Sequence, residues 1–134
     1  MHRTRHNSGF TLIELLIVVV IIGLLAAIAI PKFSATKDKA HMASMRGDLR
    51  NLATAQESYM AEHATYYNGA VPSAQLLYNP SPGVQITINE GDAAGWSAKA
   101  TTPNLPASSA CAIYIGAAAP VLPATKDGSI MCEN

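Results

Sequence analysis

A run of apolar residues near the amino terminus limits what this chain can fold into. Residues 10–30 are FTLIELLIVVVIIGLLAAIAI, and fifteen of these 21 residues are Phe, Leu, Ile or Val. As an α-helix the run would be about 31 Å long, which matches the hydrocarbon thickness of a bilayer. Its aliphatic side chains supply roughly −4.5 to −9 kcal/mol towards insertion, whereas the one acid, Glu14, costs about 3 kcal/mol. We therefore expect a transmembrane helix over residues 10–31.

The charges before this run predict how the helix is oriented. Arg3 and Arg5 precede it, and residues 1–9 contain no acid. By the positive-inside rule the amino end stays in the cytoplasm and the rest of the chain lies outside. A secretory signal peptide cut after Ala29 is the alternative, and it would release a secreted, non-polymerising binding domain. The run is long for such a signal, which also has no use for Glu14.

Composition excludes several classes of protein. With 134 residues the chain is one domain by the usual size of domains. Nine Lys+Arg balance nine Asp+Glu, so no specific nucleic-acid partner is predicted. The sequence has no P-loop, nucleophile elbow or metalloprotease motif, and we predict neither an enzyme nor a cofactor.

The segment from Gly9 to Pro31, GFTLIELLIVVVIIGLLAAIAIP, is similar to the class III signal of type IV pilins and of the related pseudopilins. The resemblance implies that a prepilin peptidase cuts between Gly9 and Phe10 and removes a leader, residues 1–9. It also implies that the new amino terminus on Phe10 is N-methylated. In this family the acid at the position of Glu14 faces the amino terminus of a neighbouring subunit.

Simple electrostatics supports that role for Glu14. Cleavage before Phe10 creates an α-amino cation at the edge of the hydrocarbon, and Glu14 lies four residues further along the same helical face. Opposite charges attract strongly in a low dielectric, and an unpaired charge there is costly. A neighbouring subunit shifted along the axis would pair both charges and set the assembly register. A pair within one subunit is the alternative.

Gly23 and Pro31 are the two residues that favour a break in the helix. Proline removes one helical hydrogen bond, and glycine lowers helix propensity by about 1 kcal/mol relative to alanine. One interpretation is a bent but continuous helix. The resemblance implies the other, in which residues 23–31 lose helical structure in the assembled filament.

An amphipathic helix is predicted to follow over residues 32–67, which would continue the first helix to about Ala64. Its apolar stripe carries Gln56 in one slot and otherwise consists of Met42, Met45, Leu49, Leu52 and Tyr59. Its charged residues are expected to be mostly solvated: Lys37, Asp38, Lys39, Arg46, Asp48, Arg50, Glu57 and Glu62. The Asn68-Gly69 turn signal is expected to end the helix.

Residues 68–134 are predicted to form a connecting loop, an antiparallel sheet and a disulfide region. Alternating apolar and polar residues predict strands at residues 84–88, 96–101 and 111–115, with a short edge strand at 128–132. The predicted fold class is therefore α+β, a long amino-terminal helix packed on an antiparallel sheet.

Cys111 and Cys132 are the only cysteines, and outside the cytoplasm they are expected to form a disulfide. The closed loop would contribute roughly 3 kcal/mol. Many type IV pilins carry a comparable disulfide-bounded loop, which helps to form the filament surface, and many pseudopilins lack one. Glu90, Asp92 and Asp127 raise the alternative of a calcium site, but their spacing matches no EF-hand loop, and we predict no metal.

Together these features predict a structural subunit of a type IV pilus, which serves adhesion, twitching motility or DNA uptake. The implied partners are further copies in a helical filament, the prepilin peptidase, the pilus assembly machinery and inner-membrane lipid. The expected location is the inner membrane before assembly and the extracellular filament afterwards. A pseudopilin of a type II secretion system is the nearest alternative.

Overall fold

A computed structural model describes residues 9–133 of the chain, so most of the predicted leader, with Arg3 and Arg5, lies outside the described residues. One long helix, α1 (Leu12–His63), begins the described fold. The described residues fall into two units, one up to Thr36 and one from Lys37 onwards, and α1 contributes to both. Its end differs from the boundary that Asn68-Gly69 indicated, because Ala64 already adopts a left-handed backbone with φ of 55°.

The second unit buries the predicted apolar stripe of α1. Met45, Leu49 and Leu52 are fully buried, and so is Gln56. Leucine and methionine residues three and four positions apart lie on one helical face, which is why their spacing in the sequence predicted the buried stripe. One prediction for this helix was wrong, because Asp48 is not solvated but only 3% exposed.

Four strands follow in a simple antiparallel meander. They are β1 (Gln85–Gly91), β2 (Gly95–Thr101), β3 (Ala110–Gly116) and β4 (Met131–Glu133). Their order in the sheet is β1-β2-β3-β4. The α+β class is confirmed, and the first three strands lie where the alternation predicted them. The edge strand is shorter and later than the predicted 128–132.

Trp96 is the largest fully buried side chain of the core between α1 and the sheet. The residues that alternate with it on β2 towards the core, Ala98 and Ala100, are also fully buried. The start of β2 approaches the turn after β3 so closely that a Cβ on Gly95 would collide with the backbone oxygen of Ile115. Glycine is therefore required there for the hairpin to close.

Candidate functional site

The predicted cleavage site lies in an accessible segment. Gly9 and Phe10 are exposed and precede the first helical residue, Leu12. Exposed chain outside regular secondary structure is where proteolysis concentrates. The exposure of Gly9 and Phe10 is compatible with cleavage between them, which stays a prediction.

Glu14 closes the amino end of α1 through a capping box with Thr11. Its Oε2 accepts hydrogen bonds from the Thr11 backbone N–H at 2.8 Å and from Thr11 Oγ1 at 2.6 Å. In return, the Glu14 backbone N–H lies 3.3 Å from Thr11 Oγ1. A Thr-x-x-Glu motif satisfies free N–H groups of a helix terminus in this way. The carboxylate thus has local partners within the described chain, and its intermolecular role stays a prediction.

The first turns of α1 expose an apolar surface. Every Phe, Leu, Ile and Val from Phe10 to Phe33 is exposed, from 82% at Leu12 to 46% at Val18. Among the described residues, α1 is the one helix long and apolar enough to cross a membrane, with a mean hydropathy of 3.1 over its most apolar window. An uncovered apolar surface of this length requires lipid or other protein chains to cover it.

Gly23 and Pro31, the predicted break points, both lie inside continuous helix. A Cβ on Gly23 would meet no atom within 4 Å outside its own helix backbone, so no other described part of the chain packs closely against it. Pro31 leaves the carbonyl four residues before it without its helical hydrogen bond. The single chain thus has the continuous helix of the first interpretation, while loss of helix in a filament stays a prediction.

Asp48 ties the loop after α1 to the helix. Tyr78 Oη lies 3.1 Å from its Oδ1 and 3.0 Å from its backbone oxygen. Ser81 donates its backbone N–H at 3.1 Å and its hydroxyl at 3.1 Å to Asp48 Oδ1. All these donors are neutral, and together they solvate a carboxylate that is removed from water. The expectation that Asp48 is solvated is therefore wrong, because its carboxylate is buried and hydrogen-bonded.

Gln56 fixes the chain just beyond the helix end. Its side-chain amide pairs with the backbone of Tyr67, accepting from the N–H at 2.8 Å and donating to the carbonyl at 2.9 Å. Because Gln56 is fully buried, both of its polar ends need such partners. The polar slot in the apolar stripe is therefore an anchor for the residues that lead into the sheet.

The predicted disulfide is present. Cys111 on β3 and Cys132 on β4 lie directly opposite each other in the sheet and are bonded. The bond attaches the carboxyl-terminal strand to the sheet beside α1, where Arg46 Nε lies 3.1 Å from Cys132 Sγ.

The acids considered for calcium serve the loops instead. Glu90 accepts a hydrogen bond from the Ala119 N–H at 2.8 Å, and Asp127 accepts one from the Gly116 N–H at 3.1 Å. Asp92 Oδ1 accepts two backbone N–H groups, at 2.7 and 3.0 Å, within its own turn. Within residues 9–133 no group of three or more metal-binding side chains comes together.

The burial of Tyr78 leads to a prediction about alkaline pH. Desolvation, followed by the charge and the hydrogen bond of Asp48, raises the pKa of Tyr78. The unfolded chain then loses this proton near pH 10, before the folded chain does. The stability contributed by the protonated phenol is complete below about pH 10 and is lost as the pH rises above it.

We expect the urea midpoint to fall more steeply above about pH 10 in the parent chain than in Tyr78→Phe. Tyr114→Phe is the control, since the Tyr114 hydroxyl bonds to the Thr125 oxygen at an exposed site. It should retain the parent's pH dependence. If the urea midpoint falls equally steeply above about pH 10 in Tyr78→Phe and in the parent, the raised pKa of Tyr78 is not the cause of the alkaline loss of stability.

The chain is similar to several known proteins. A family model described as the prokaryotic N-terminal methylation motif matches residues 4–30. The type IV major pilin protein PilA of Myxococcus xanthus is 40% identical over 89 residues, which are 66% of this chain and 39% of that relative. The type II secretion system core protein G of Pseudomonas aeruginosa is 40% identical over 81 residues, 60% of this chain and 57% of that relative.

A third relative is the type IV wide pilus major component PilA4 of Thermus thermophilus, 40% identical over 78 residues, 58% of this chain and 60% of that protein. The chain thus spans between 39% and 60% of the length of these relatives. The fold and the matched segment define a class of small α+β proteins. In this class a methylation motif lies at the start of one long helix whose first part is apolar. The methylation motif and these similarities support the family of type IV pilins and pseudopilins, which is a structural family and not an enzyme family.

Proposed function

We propose that this chain is the structural subunit of a type IV pilus and polymerises through its amino-terminal helix into an extracellular filament. The observation that carries the proposal is the exposed apolar surface from Phe10 to Phe33, which coincides with the methylation motif at residues 4–30. Such a surface can move from lipid to the interior of a filament without exposure to water, because both environments are apolar. Adhesion, twitching motility or DNA uptake is the role proposed for the filament.

Processing would prepare the chain for assembly. The proposed prepilin peptidase cuts the exposed Gly9–Phe10 bond, and the new amino group on Phe10 is methylated. The hydrogen bonds from Thr11 both go to Oε2 of Glu14, which leaves Oε1 open in the described chain. A second copy, shifted along the filament axis, would bring its Phe10 ammonium to this oxygen and fix the register of the two subunits.

Before assembly, the inner membrane would hold the subunits. The proposed partners there are lipid, which covers the apolar surface, and the assembly machinery that extracts the subunit. Once in the filament, the second unit with its disulfide would face solvent.

A pseudopilin of a type II secretion system is the second candidate. The similarity to the type II secretion system core protein G favours it, at the same 40% identity as the similarity to the pilin PilA. The disulfide favours the pilus, because many pseudopilins lack a disulfide-bounded carboxyl-terminal loop. The two candidates share processing and membrane anchoring and differ in whether long surface fibres are made.

The mature chain is expected to begin at Phe10 and to carry one methyl group on its amino terminus. Intact-mass spectrometry of the chain purified from its native membrane and surface fractions measures both changes. A mature chain that begins at Ile30 would instead identify a secreted domain released after Ala29.

Electron microscopy of sheared surface fractions then separates the two filament candidates. Long fibres labelled by antibodies against this chain are expected for a pilus subunit. A correctly processed, methylated chain at native expression level that forms no surface fibre would favour the pseudopilin.

A further inference from the structure

The two cysteines of the disulfide differ in their exposure to solvent. Cys111 on β3 is fully buried, whereas Cys132 on the edge strand β4 is only partly buried. Cys132 is therefore the cysteine of the pair that a thiolate approaching the folded chain can meet, and it is the one that lines a cavity. In thiol–disulfide exchange, the sulfur that can be attacked determines which mixed disulfide forms.

A cavity with positively charged walls opens at Cys132. It has a volume of about 450 Å³ and is lined by Lys39, Met42, Ala43, Arg46 and Cys132. Arg46 Nε lies 3.1 Å from Cys132 Sγ, so a guanidinium charge is in contact with the accessible sulfur. Met42 and Ala43 supply an apolar part of the wall, and none of the described residues that line the cavity is an acid.

We propose that this cavity is a thiol–disulfide exchange site for small anionic thiols and disulfides, and that the Cys111–Cys132 bond opens and closes through Cys132. Lys39 and Arg46 are positioning residues that attract the negative charge of the reagent and stabilise negative charge on the attacking sulfur. Glu133, next to Cys132 in β4, points to the opposite face of the strand because strand side chains alternate. The proposal does not depend on whether the chain assembles into a filament.

Opening follows from this geometry. The thiolate of the reagent attacks Cys132 Sγ, a bond forms between these two sulfurs, and the Cys111–Cys132 bond breaks. Cys111 leaves as a thiolate and takes a proton from water. Its Sγ lies 3.9 Å from the Met42 carbonyl oxygen, which can accept a hydrogen bond from the thiol that results. A second reagent thiolate then releases Cys132, so two reagent thiols are oxidised to one disulfide as the protein disulfide is reduced.

Closing is the reverse sequence. The Cys132 thiolate, stabilised by Arg46, attacks one sulfur of the anionic disulfide and expels one reagent thiolate. Cys111 then loses its proton to water and attacks Cys132 Sγ, which expels the second reagent thiolate. Both directions pass through the same intermediate, with the reagent bound to Cys132.

The first experiment locates that intermediate in the oxidised full-length chain, held in micelles of a neutral detergent. The chain is exposed briefly to reduced glutathione, an anionic thiol, and then quenched with iodoacetamide. Peptide mass spectrometry is expected to find glutathione on Cys132 and the alkyl group on Cys111. Glutathione found mainly on Cys111, or no exchange until the chain is unfolded in urea, would overturn the proposal.

The second experiment tests the role of the two cations. Opening rates are measured with glutathione and with cysteamine, a cationic thiol, each divided by the fraction of reagent present as thiolate. We expect the ratio of these rates to fall roughly fivefold in Arg46→Gln, the effect of one unit charge near 4 Å in water. In Lys39→Gln the ratio should fall in the same direction, because Lys39 also lines the cavity. Arg50→Gln, on the same helix but outside the cavity, is the control and should keep the parent ratio.

Arg46→Lys separates charge from packing. It retains the positive charge, so its ratio should stay close to that of the parent even though the guanidinium is lost. If Arg46→Lys loses selectivity as fully as Arg46→Gln, packing and not charge is responsible. An unchanged ratio in Arg46→Gln and Lys39→Gln would likewise overturn the proposal.

Discussion

Glu14→Gln is expected to reduce filament yield by roughly tenfold or more while leaving membrane insertion and processing intact. Glutamine at the third position of a helix can still form a capping box, so its side-chain oxygen can accept the Thr11 N–H as Glu14 does now. What glutamine lacks is the negative charge. An ammonium left without its partner in a low-dielectric contact is costly, and assembly should therefore fail.

Thr11→Val is the matched control for this experiment. Valine removes the hydroxyl that donates to Glu14 Oε2 at 2.6 Å but keeps the backbone N–H and the carboxylate. If the charge of Glu14 sets the register between subunits, Thr11→Val filaments should form at close to the parent yield. Surface fibres are quantified by shearing and immunoblot, and membrane insertion by carbonate extraction.

The opposite pattern would identify the cap as the main role of Glu14. Full filament yield from Glu14→Gln would show that a neutral capping residue is sufficient and that no intermolecular ion pair is needed. Loss of filaments in Thr11→Val alone would lead to the same conclusion.

Local patterns made most of the fold predictable. The 3.6-residue period of Met45, Leu49 and Leu52 and the two-residue alternation of the strands both depend on neighbours in sequence. The single cysteine pair left one possible connectivity. These signals need no knowledge of long-range contacts, which is why the α+β class and the disulfide followed from them.

The errors lie where a residue's role depends on distant partners. Asp48 stands three residues after Met45 and four before Leu52, so its position on the buried stripe was visible in the spacing. Its residue type indicated a solvated face instead. The donors that make burial possible, Tyr78 and Ser81, are 30 and 33 residues away and gave no local signal.

The capping box at the start of α1 was a different kind of omission. Thr11 and Glu14 form a Thr-x-x-Glu pattern that is readable in sequence. The resemblance to the class III signal points Glu14 towards a partner subunit, whereas the Thr-x-x-Glu pattern points to local hydrogen bonds. One carboxylate has two oxygens, so the cap and an intermolecular contact are compatible.

The limit of β4 could not be found locally, because Cys132 pairs with a residue 21 positions earlier.

Asp48→Ala is expected to lower the free energy of unfolding of the second unit by about 2–4 kcal/mol. The buried Tyr78 hydroxyl would lose its carboxylate acceptor, and Ser81 would lose the acceptor of its backbone N–H. For a domain of this size that change lowers the Tm by roughly 10–25 °C. Thermal unfolding of the full-length chain in detergent, followed by near-UV circular dichroism, measures the change at the buried aromatic residues.

Two further variants isolate the contribution of Asp48. Asp38→Ala removes an acid from the same helix whose side chain makes no hydrogen bond within residues 9–133, and it should alter stability by less than about 0.5 kcal/mol. Asp48→Asn keeps one side-chain acceptor for Tyr78 or Ser81 and should lower the free energy of unfolding by less than Asp48→Ala does. Equal effects of Asp48→Ala and Asp38→Ala would contradict the anchoring role.

The hydrogen bonds of Asp48 also predict which backbone amides lose protection when Asp48 is removed. In Asp48→Ala the amide of Ser81 should exchange with deuterium faster, because the carboxylate that accepts its hydrogen bond at 3.1 Å is gone. The amide of Tyr67 is held independently by Gln56, so its exchange should change only through the loss of global stability. Asp48 therefore fixes the distal part of the loop and Gln56 the proximal part, and two buried polar residues of one helix together position the segment that connects it to the sheet.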